Sequence, residues 1–458
     1  MPISAARKIA YEVLRRVETE GAYASDLLHT ELGANVKAED AGLATEIVLG
    51  VLRWRRQLDF LLDRHLKKPV ARLDVPVAVA LRMGIYQLRF LDRIPARAVV
   101  NEAVELVKYA RKTSAATLVN AVLRQAAAEA KTPATQFLPA DGIPNDNLGI
   151  LYSHPRWMVE RWLARMGEAE TIAMLAAHNR PPRLSCTIHD DTRREEILSG
   201  LIEAALRIAP GLLLKSSFAV SGGSPSRSEA FRNGEISIQD EASQVIPLLL
   251  DVQDGDRVLD LCAAPGGKTP VLARAAGKSG MVVAAERHAH RIKAMREQFK
   301  RLHLPNVRVL ELNAEKPLPF GAQFDRILVD APCSGTGTFS RHPEIRWRLK
   351  PEQLRELHAL QRSLLQNALE TLAPGGRLVY STCSMEPEEN ENVVEEVLKG
   401  RKEFSRMTAA DVSGALRERM ATSASADSLF DGEGYFRTMP HKHQTDGFFA
   451  AIIEKAKT

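Results

Sequence analysis

The sequence predicts a multidomain chain of three parts: an all-α bundle, a small α+β module, and an α/β domain on a mostly parallel sheet. Three observations predict it. Apolar residues recur at helical spacing through the first 131 residues. A stretch dense in proline and glycine, KTPATQFLPADGIPNDNLG, then breaks that pattern. From about residue 236, short apolar strands alternate with helical segments, which implies parallel strands covered on both faces. The expected boundaries are a helical domain at 1–131, a linker at 132–150, an α+β module at 151–235 and the α/β domain at 236–458.

The bundle begins with AARKIAYEVLRRVE, whose Ile9, Val13, Leu14 and Val17 fall on one face. TEIVLGVLRWRRQLDFLLDRHL, VPVAVALRMGIYQLRFL, AVVNEAVELVKYARK and AATLVNAVLRQAAAEA continue it, and short links between them make a bundle. Residues 51–131 hold 16 Lys/Arg and 7 Asp/Glu, a local excess of +9 in a chain of net charge +5. Such a block invites a nucleic-acid partner through phosphate neutralisation, and a solvated helical face explains it equally well.

In the module, PRWMVERWLARMG reads as a helix, RLSCTIHD as a strand, TRREEILSGLIEAALR as a helix and SGGSPSRSEA as a loop. The α/β domain offers RVLDLC, MVVAAE, VRVLEL, FDRILVD, GRLVYSTC and FFAAIIEK as strands. Ligands in such sheets bind beyond the carboxyl ends of the strands. Cys262, Glu286, Asn313, Asp330 and Cys383 fall at those ends, with Cys333 in the turn after Asp330.

The composition, 45% hydrophobic and 26% charged, is that of a soluble globular chain, and no apolar run of about 18 residues suggests a membrane span. The opening residues lack the apolar segment of a secretory signal. The four cysteines form no C-x-x-C pair, so reduced thiols in the cytoplasm, without a metal, are expected.

LDLCAAPGGKT follows a strand and opens a helix, so its backbone amides can approach a ligand closely. A phosphate loop would need glycine where Cys262 stands, and Pro265 removes a donor from the cradle. Glu286, ending the next strand, is placed to take both hydroxyls of a ribose. A dinucleotide would want G-x-G-x-x-G, which is absent. An adenosine-type ligand without a pyrophosphate fits best, which points to S-adenosylmethionine.

Either DAPCSGTG (330–337) or STCS, the motif around Cys383, could carry a nucleophile. Carbon-5 of a pyrimidine attacks a methyl donor only after a thiolate has added to carbon-6, and a base must later remove the carbon-5 proton. Asp330 is placed to meet the ring edge. Cys186 and Cys262 are read as structural, with Cys262 contributing backbone only.

LDLCAAPGGKT, DAPCSGTG, YSTCSMEPEENENVV and GYFRTMPHKHQTDGFFAAIIEK resemble the motifs of the RNA (cytosine-5)-methyltransferases. IPARAVVNEAVELVKYARKTSAATLVNAVLRQ resembles a NusB-type RNA-binding bundle, a pairing similar to the bacterial 16S ribosomal RNA (cytosine-5)-methyltransferases. The resemblance implies a Rossmann-like, class I, S-adenosylmethionine-dependent domain. It implies that Cys383 is the nucleophile, that Cys333 assists product release, and that Asp330 lies next to cofactor and target base. It further implies that Cys262, Ala263, Ala264, Pro265, Gly266, Gly267 and Lys268 surround the methionine portion of the cofactor. Glu286, where relatives often have aspartate, would bind the ribose; Asn313 would lie near the adenine. The expected product is 5-methylcytosine in 16S ribosomal RNA, made by a monomer. Transfer RNA as the substrate, or a non-catalytic RNA-binding regulator, are the alternatives.

Three further stretches carry expectations. FSRHPEIRW (339–347), with Arg341, His342, Arg346 and Trp347, is read as a loop that holds the phosphate and bases of a flipped nucleotide. MEPEENENVV is read as acids at the positive end of a helix. Residues 406–434 are read as an irregular segment without an assigned role.

Overall fold

The computed structural model of the chain describes residues 3–33, 36–139, 142–320, 323–422 and 424–457. These divide into two compact units, Met1–Pro181 with Phe339–Arg348, and Pro182–Thr338 with Leu349–Thr458.

The first unit is helical: α1 (Ala5–Glu20), α2 (Ala24–Glu31), α3 (Ala38–Asp63), α4 (Val75–Phe90), α5 (Ala96–Tyr109), α6 (Ala116–Ala128), α7 (Pro144–Leu151), α8 (Arg156–Met166) and α9 (Glu168–His178). The apolar faces read from the sequence meet in one core, in which Tyr11, Leu14, Ile47, Leu52, Leu81 and Leu123 are buried. The expected linker at 132–150 contains α7, while its residues 140–141 lie outside the described residues. Pro144 stands in the first turn of α7, where proline's fixed φ suits a helix and its missing N–H costs nothing. A proline that signalled a break is thus a helix start.

Many of the basic residues at 51–131 are spent inside this unit. Arg82 is buried and binds both oxygens of Asp59, at 2.6 and 2.9 Å. Arg56 reaches Asp146 at 2.6 Å and the His154 carbonyl at 2.6 Å. Lys67, Lys68, Arg72, Arg93, Arg97, Arg111 and Arg124 are exposed and have no ion pair among the described residues.

Phe339–Arg348 belongs to this unit, and of the four side chains read as holding a nucleotide, Arg346 and Trp347 are instead bound to the protein's own carbonyls. The Arg346 guanidinium is fully buried and donates to the carbonyls of Arg53, Ser153, His178 and Phe339 and to Asn179 Oδ1, at 3.0–3.4 Å. Trp347 Nε1 donates to the Leu52 carbonyl at 2.7 Å. Both side chains satisfy backbone acceptors and are not offered to a phosphate.

The second unit holds two sheets. The smaller is antiparallel, with β1 (Leu184–Ile188), β2 (Arg207–Pro210), β3 (Ser217–Ser221) and β4 (Ile236–Ile238) in the order β2-β3-β1-β4. The larger comprises β5 (Arg257–Asp260), β6 (Met281–Glu286), β7 (Val307–Glu311), β8 (Phe324–Asp330), β9 (Leu372–Thr382), β10 (Phe404–Arg406), β11 (Phe436–Thr438) and β12 (Phe448–Lys455). Its order is β10-β12-β9-β8-β5-β6-β7, with β11 on β12. The pairs from β7 through β9 are parallel, and β12, β10 and β11 add an antiparallel side, so the sheet is mixed. The chain runs outward from β5 through β6 to β7, then returns to β8 on the other side of β5. That reversal makes the carboxyl ends of β5 and β8 the switch point where such sheets bind ligands.

The 406–434 stretch is more regular than expected. A helix spans Ala409–Arg419 and opens on a capping box between Thr408 and Asp411.

Candidate active site

The carboxyl end of β8 carries Asp330, paired in register with Ser381 on β9. Ser381 Oγ donates to Asp330 Oδ1 at 2.9 Å, and Lys268 Nζ donates to Oδ2 at 2.5 Å. Lys268 also lies 5.2 Å from the centre of the Phe448 ring, which places its charge over an aromatic face. The last residue of the glycine turn is thereby fixed against the strand end expected to meet the substrate.

That turn, Cys262 to Lys268, joins β5 to the helix Thr269–Ala276. Ala263 N–H donates to the Ala285 carbonyl on β6 at 2.9 Å, tying the turn to the next strand. Gly266 has φ +96°, and a Cβ there would stand 2.9 Å from the Phe299 ring. Only glycine meets both demands. Burial pushes the Cys262 thiol up, as suits a group that acts through its backbone.

Asp260, at the end of β5, is a residue the sequence reading passed over. It is 1% exposed, and its Oδ2 accepts from Thr269 Oγ1 at 2.7 Å. Its Oδ1 has no partner among the described residues. Burial, and secondarily the Asp330 charge, push the carboxyl up to about 7. A buried acid with a vacant oxygen lies at the switch point, beside Asp330 and Glu286 on neighbouring strands. This donor set suits a cationic ligand bearing an amine and a sulfonium. Glu286 is buried at the end of β6, where its Oε1 accepts from the backbone N–H of His288 at 2.8 Å. Asn313 stands beyond the end of the edge strand β7, with its Oδ1 accepting from Glu315 N–H at 3.1 Å.

The two cysteine turns meet. Cys333 Sγ and Cys383 Sγ are 3.3 Å apart, and both residues are partly exposed. The turns are stitched by Gly337 N–H on the Cys383 carbonyl at 2.9 Å and by Met385 N–H on Thr336 Oγ1 at 2.8 Å. Hydrogen bonding to Cys383, then burial, push the Cys333 thiol well above its ordinary range. A thiol so raised keeps its proton, and either sulfur can be the donor across the 3.3 Å contact. By contrast Cys186, inside the smaller sheet, is buried, and its thiol is pushed up to about 12.

The acids of MEPEENENVV are not all at the surface. Glu389, in the stretch read as acids at the positive end of a helix, is buried beneath both cysteine turns. Among the described residues, no group of three or more His, Cys, Asp or Glu is arranged to hold a metal, and no helix is long and apolar enough to cross a membrane.

Comparison with known proteins follows the two units. A family model described as 16S rRNA methyltransferase RsmB/F matches residues 247–454, and a NusB family model matches residues 4–128. The chain is 32% identical over 459 residues to the probable ribosomal RNA small subunit methyltransferase B of Bacillus subtilis, across 99% of this chain and 100% of that one. It is 35% identical over 396 residues to the ribosomal RNA small subunit methyltransferase B of Pseudomonas syringae, across 86% of each. Among solved structures, PH0851 aligns with a TM-score of 0.81 at 26% identity, over 99% of this chain and 100% of that one. A methyltransferase homolog protein from Pyrococcus horikoshii aligns with a TM-score of 0.57 at 27% identity, over 69% of this chain and 99% of that one.

Proposed function

The chain belongs to the 16S rRNA methyltransferase RsmB/F family, and on that premise we propose that it methylates carbon-5 of a cytosine in 16S ribosomal RNA through a covalent cysteine–pyrimidine adduct. It is a methyltransferase dependent on S-adenosylmethionine, which when bound supplies an electrophilic methyl group. The observation that carries the finer reading is the pair of facing sulfurs, 3.3 Å apart, beside the Lys268–Asp330 pair.

Cys383 Sγ adds to carbon-6 of the cytosine, and the ring electrons shift to carbon-5, which takes the methyl group. The Cys333 thiol is pushed above its ordinary range, which disfavours it as the attacking thiolate. Asp330, held by Lys268 and Ser381, meets the ring edge during addition. A base then takes the carbon-5 proton, the carbon-5–carbon-6 double bond re-forms and expels Cys383 as its thiolate, and Cys333 assists that release. The Cys262–Lys268 turn and Asp260 hold the methionine portion of the cofactor, Glu286 its ribose, and Asn313 lies towards the adenine. The exposed cations of the helical unit, from Lys67 to Arg124, contact RNA phosphates. A reducing compartment such as the cytoplasm keeps the two facing thiols from closing into a disulfide.

Bisulfite sequencing of 16S and transfer RNA from cells with and without this chain tests the reading. A cytosine of 16S RNA protected only when the chain is present is the expected result. Protection confined to transfer RNA, or none, overturns it.

A further inference from the structure

Glu389 lies in the turn Pro387–Glu389 that precedes the helix Glu391–Leu398, and it is fully buried. Its Oε1 accepts from the Ser334 backbone N–H at 2.7 Å and from Gln361 Nε2 at 3.0 Å. Its Oε2 accepts from the hydroxyls of both Ser334 and Ser384. Ser334 follows Cys333, and Ser384 follows Cys383. One carboxylate thus grips the residue after each cysteine.

The residues before the cysteines are tied to the same place. Gln361 Nε2 also donates to the Pro332 carbonyl at 2.8 Å. Thr382 Oγ1 donates to Asn390 Oδ1 at 2.5 Å, and Asn390 Nδ2 donates to the Ser384 carbonyl at 3.0 Å. Tyr380, on β9, donates its hydroxyl to the Glu389 carbonyl at 2.6 Å, which fixes the backbone of the tether.

We propose that Glu389 is the positioning residue that sets the distance between the two sulfurs, by binding both cysteine turns through one carboxylate. The proposal rests on the reaction described above, in which the two sulfurs act in turn on one ring. A covalent cycle of that kind needs the second sulfur held where the first leaves the substrate, and small displacements are costly. Burial pushes the Glu389 carboxyl up, and the donors from Ser334, Ser384 and Gln361 oppose that rise. Glutamine is a poor substitute. Its single oxygen could serve Ser334 N–H and Gln361, but both serine hydroxyls, which now donate to a charged oxygen, would have to turn and accept from a neutral NH2 instead.

The test uses the full chain and its E389Q variant, treated with oxidised glutathione. One protein thiolate attacks the reagent, releasing one glutathione and leaving a mixed disulfide. The facing thiolate then displaces the second glutathione, so the protein dithiol is oxidised to a Cys333–Cys383 disulfide and the reagent is reduced to two thiols. Intact-mass measurement separates the two products. The wild type is expected to close the internal disulfide, and E389Q to stop largely at the mixed disulfide. In the same variant, kcat for RNA methylation is expected to fall about 10²-fold while KM for RNA stays near the wild-type value. An E389Q protein with wild-type partition and wild-type kcat overturns the proposal. A wild type that makes no 5-methylcytosine overturns the reaction, while the partition still decides the tether. Should E389Q not fold, S334A and S384A each remove one hydroxyl from it, and wild-type partition in both overturns the proposal.

Discussion

Cys333 and Cys383 are 50 positions apart in the chain, yet their Sγ atoms lie 3.3 Å apart. The parallel pairing of β8 with β9 brings this about, because Asp330 stands opposite Ser381 and each cysteine follows within a few residues. The proposed cycle gives the two sulfurs different tasks. Cys333, hydrogen-bonded to Cys383 and part-buried, holds its proton more tightly than a free thiol.

Opposite outcomes are therefore expected from removing each one. C383A loses methyl transfer by about 10⁴-fold or more, the scale on which the loss of an attacking group acts. It forms no denaturation-resistant complex with RNA containing 5-fluorocytidine. C333A forms the bond and releases it slowly, so a protein–RNA band accumulates on a denaturing gel with ordinary RNA. Turnover retained in C383A would refute its role as nucleophile. A C333A protein with full activity and no trapped band would reduce Cys333 to packing.

Asp260 makes a prediction about pH. Its folded carboxyl keeps a proton up to about 7, against an ordinary value near 4, because it is buried and, among the described residues, only Thr269 donates to it. The folded chain therefore binds this proton more tightly than the unfolded chain. The contribution is favourable at low pH and is lost as pH rises from about 4 to 7, with a ceiling of about 4 kcal/mol. D260N should flatten that part of the stability–pH curve, measured by urea unfolding at several pH values. A cationic cofactor bound beside Asp260 favours the ionised form, so its binding should release a proton between pH 6 and 7. Calorimetry in buffers of different ionisation enthalpy reads that proton, and an unchanged release in D260N would separate Asp260 from the cofactor.

The glycine turn offers a cleaner case. G266A places a side chain at φ +96° and a carbon 2.9 Å from the Phe299 ring. The expected cost is about 1–3 kcal/mol in stability, with weaker cofactor binding because the turn must shift. Thermal unfolding with and without S-adenosylmethionine measures both effects. A variant with wild-type Tm and ligand-induced shift would show the turn to be more tolerant than its geometry.

The elements and most candidate residues could be read from local patterns. Helical periodicity marked the bundle, and apolar runs ending in Asp330 or Cys383 marked the strand ends. Partners far away in the chain could not be read in that way. MEPEEN has the composition of an exposed helix start, and the donors that meet the buried Glu389 include Ser334 and Gln361, 55 and 28 positions away. Asp260 lies within the strand RVLDLC and nothing local marks it; its unpartnered oxygen shows only once Thr269 has taken the other. The antiparallel β12 was visible as a strand, but its direction depends on the return path of the chain.

The same distinction separates two kinds of arginine, and a single pair of measurements tells them apart. Arg346 looked like a phosphate ligand because it lies in a basic, aromatic stretch. It is buried, and its two terminal Nη groups meet four carbonyls and the Asn179 amide oxygen. R346A leaves several of those acceptors unpaired and should cost about 3 kcal/mol or more. It should do so without altering the slope of RNA affinity against salt. Lys67, Lys68, Arg93 and Arg97 are exposed without ion pairs among the described residues, so replacing them with glutamine should leave Tm nearly unchanged. Each replacement should lower the slope of log affinity against log salt by about one if it removes a phosphate contact. A quadruple variant with the wild-type slope would remove this face of the bundle from RNA binding. A shallower slope in folded R346A would return that arginine to the interface from which its burial excludes it.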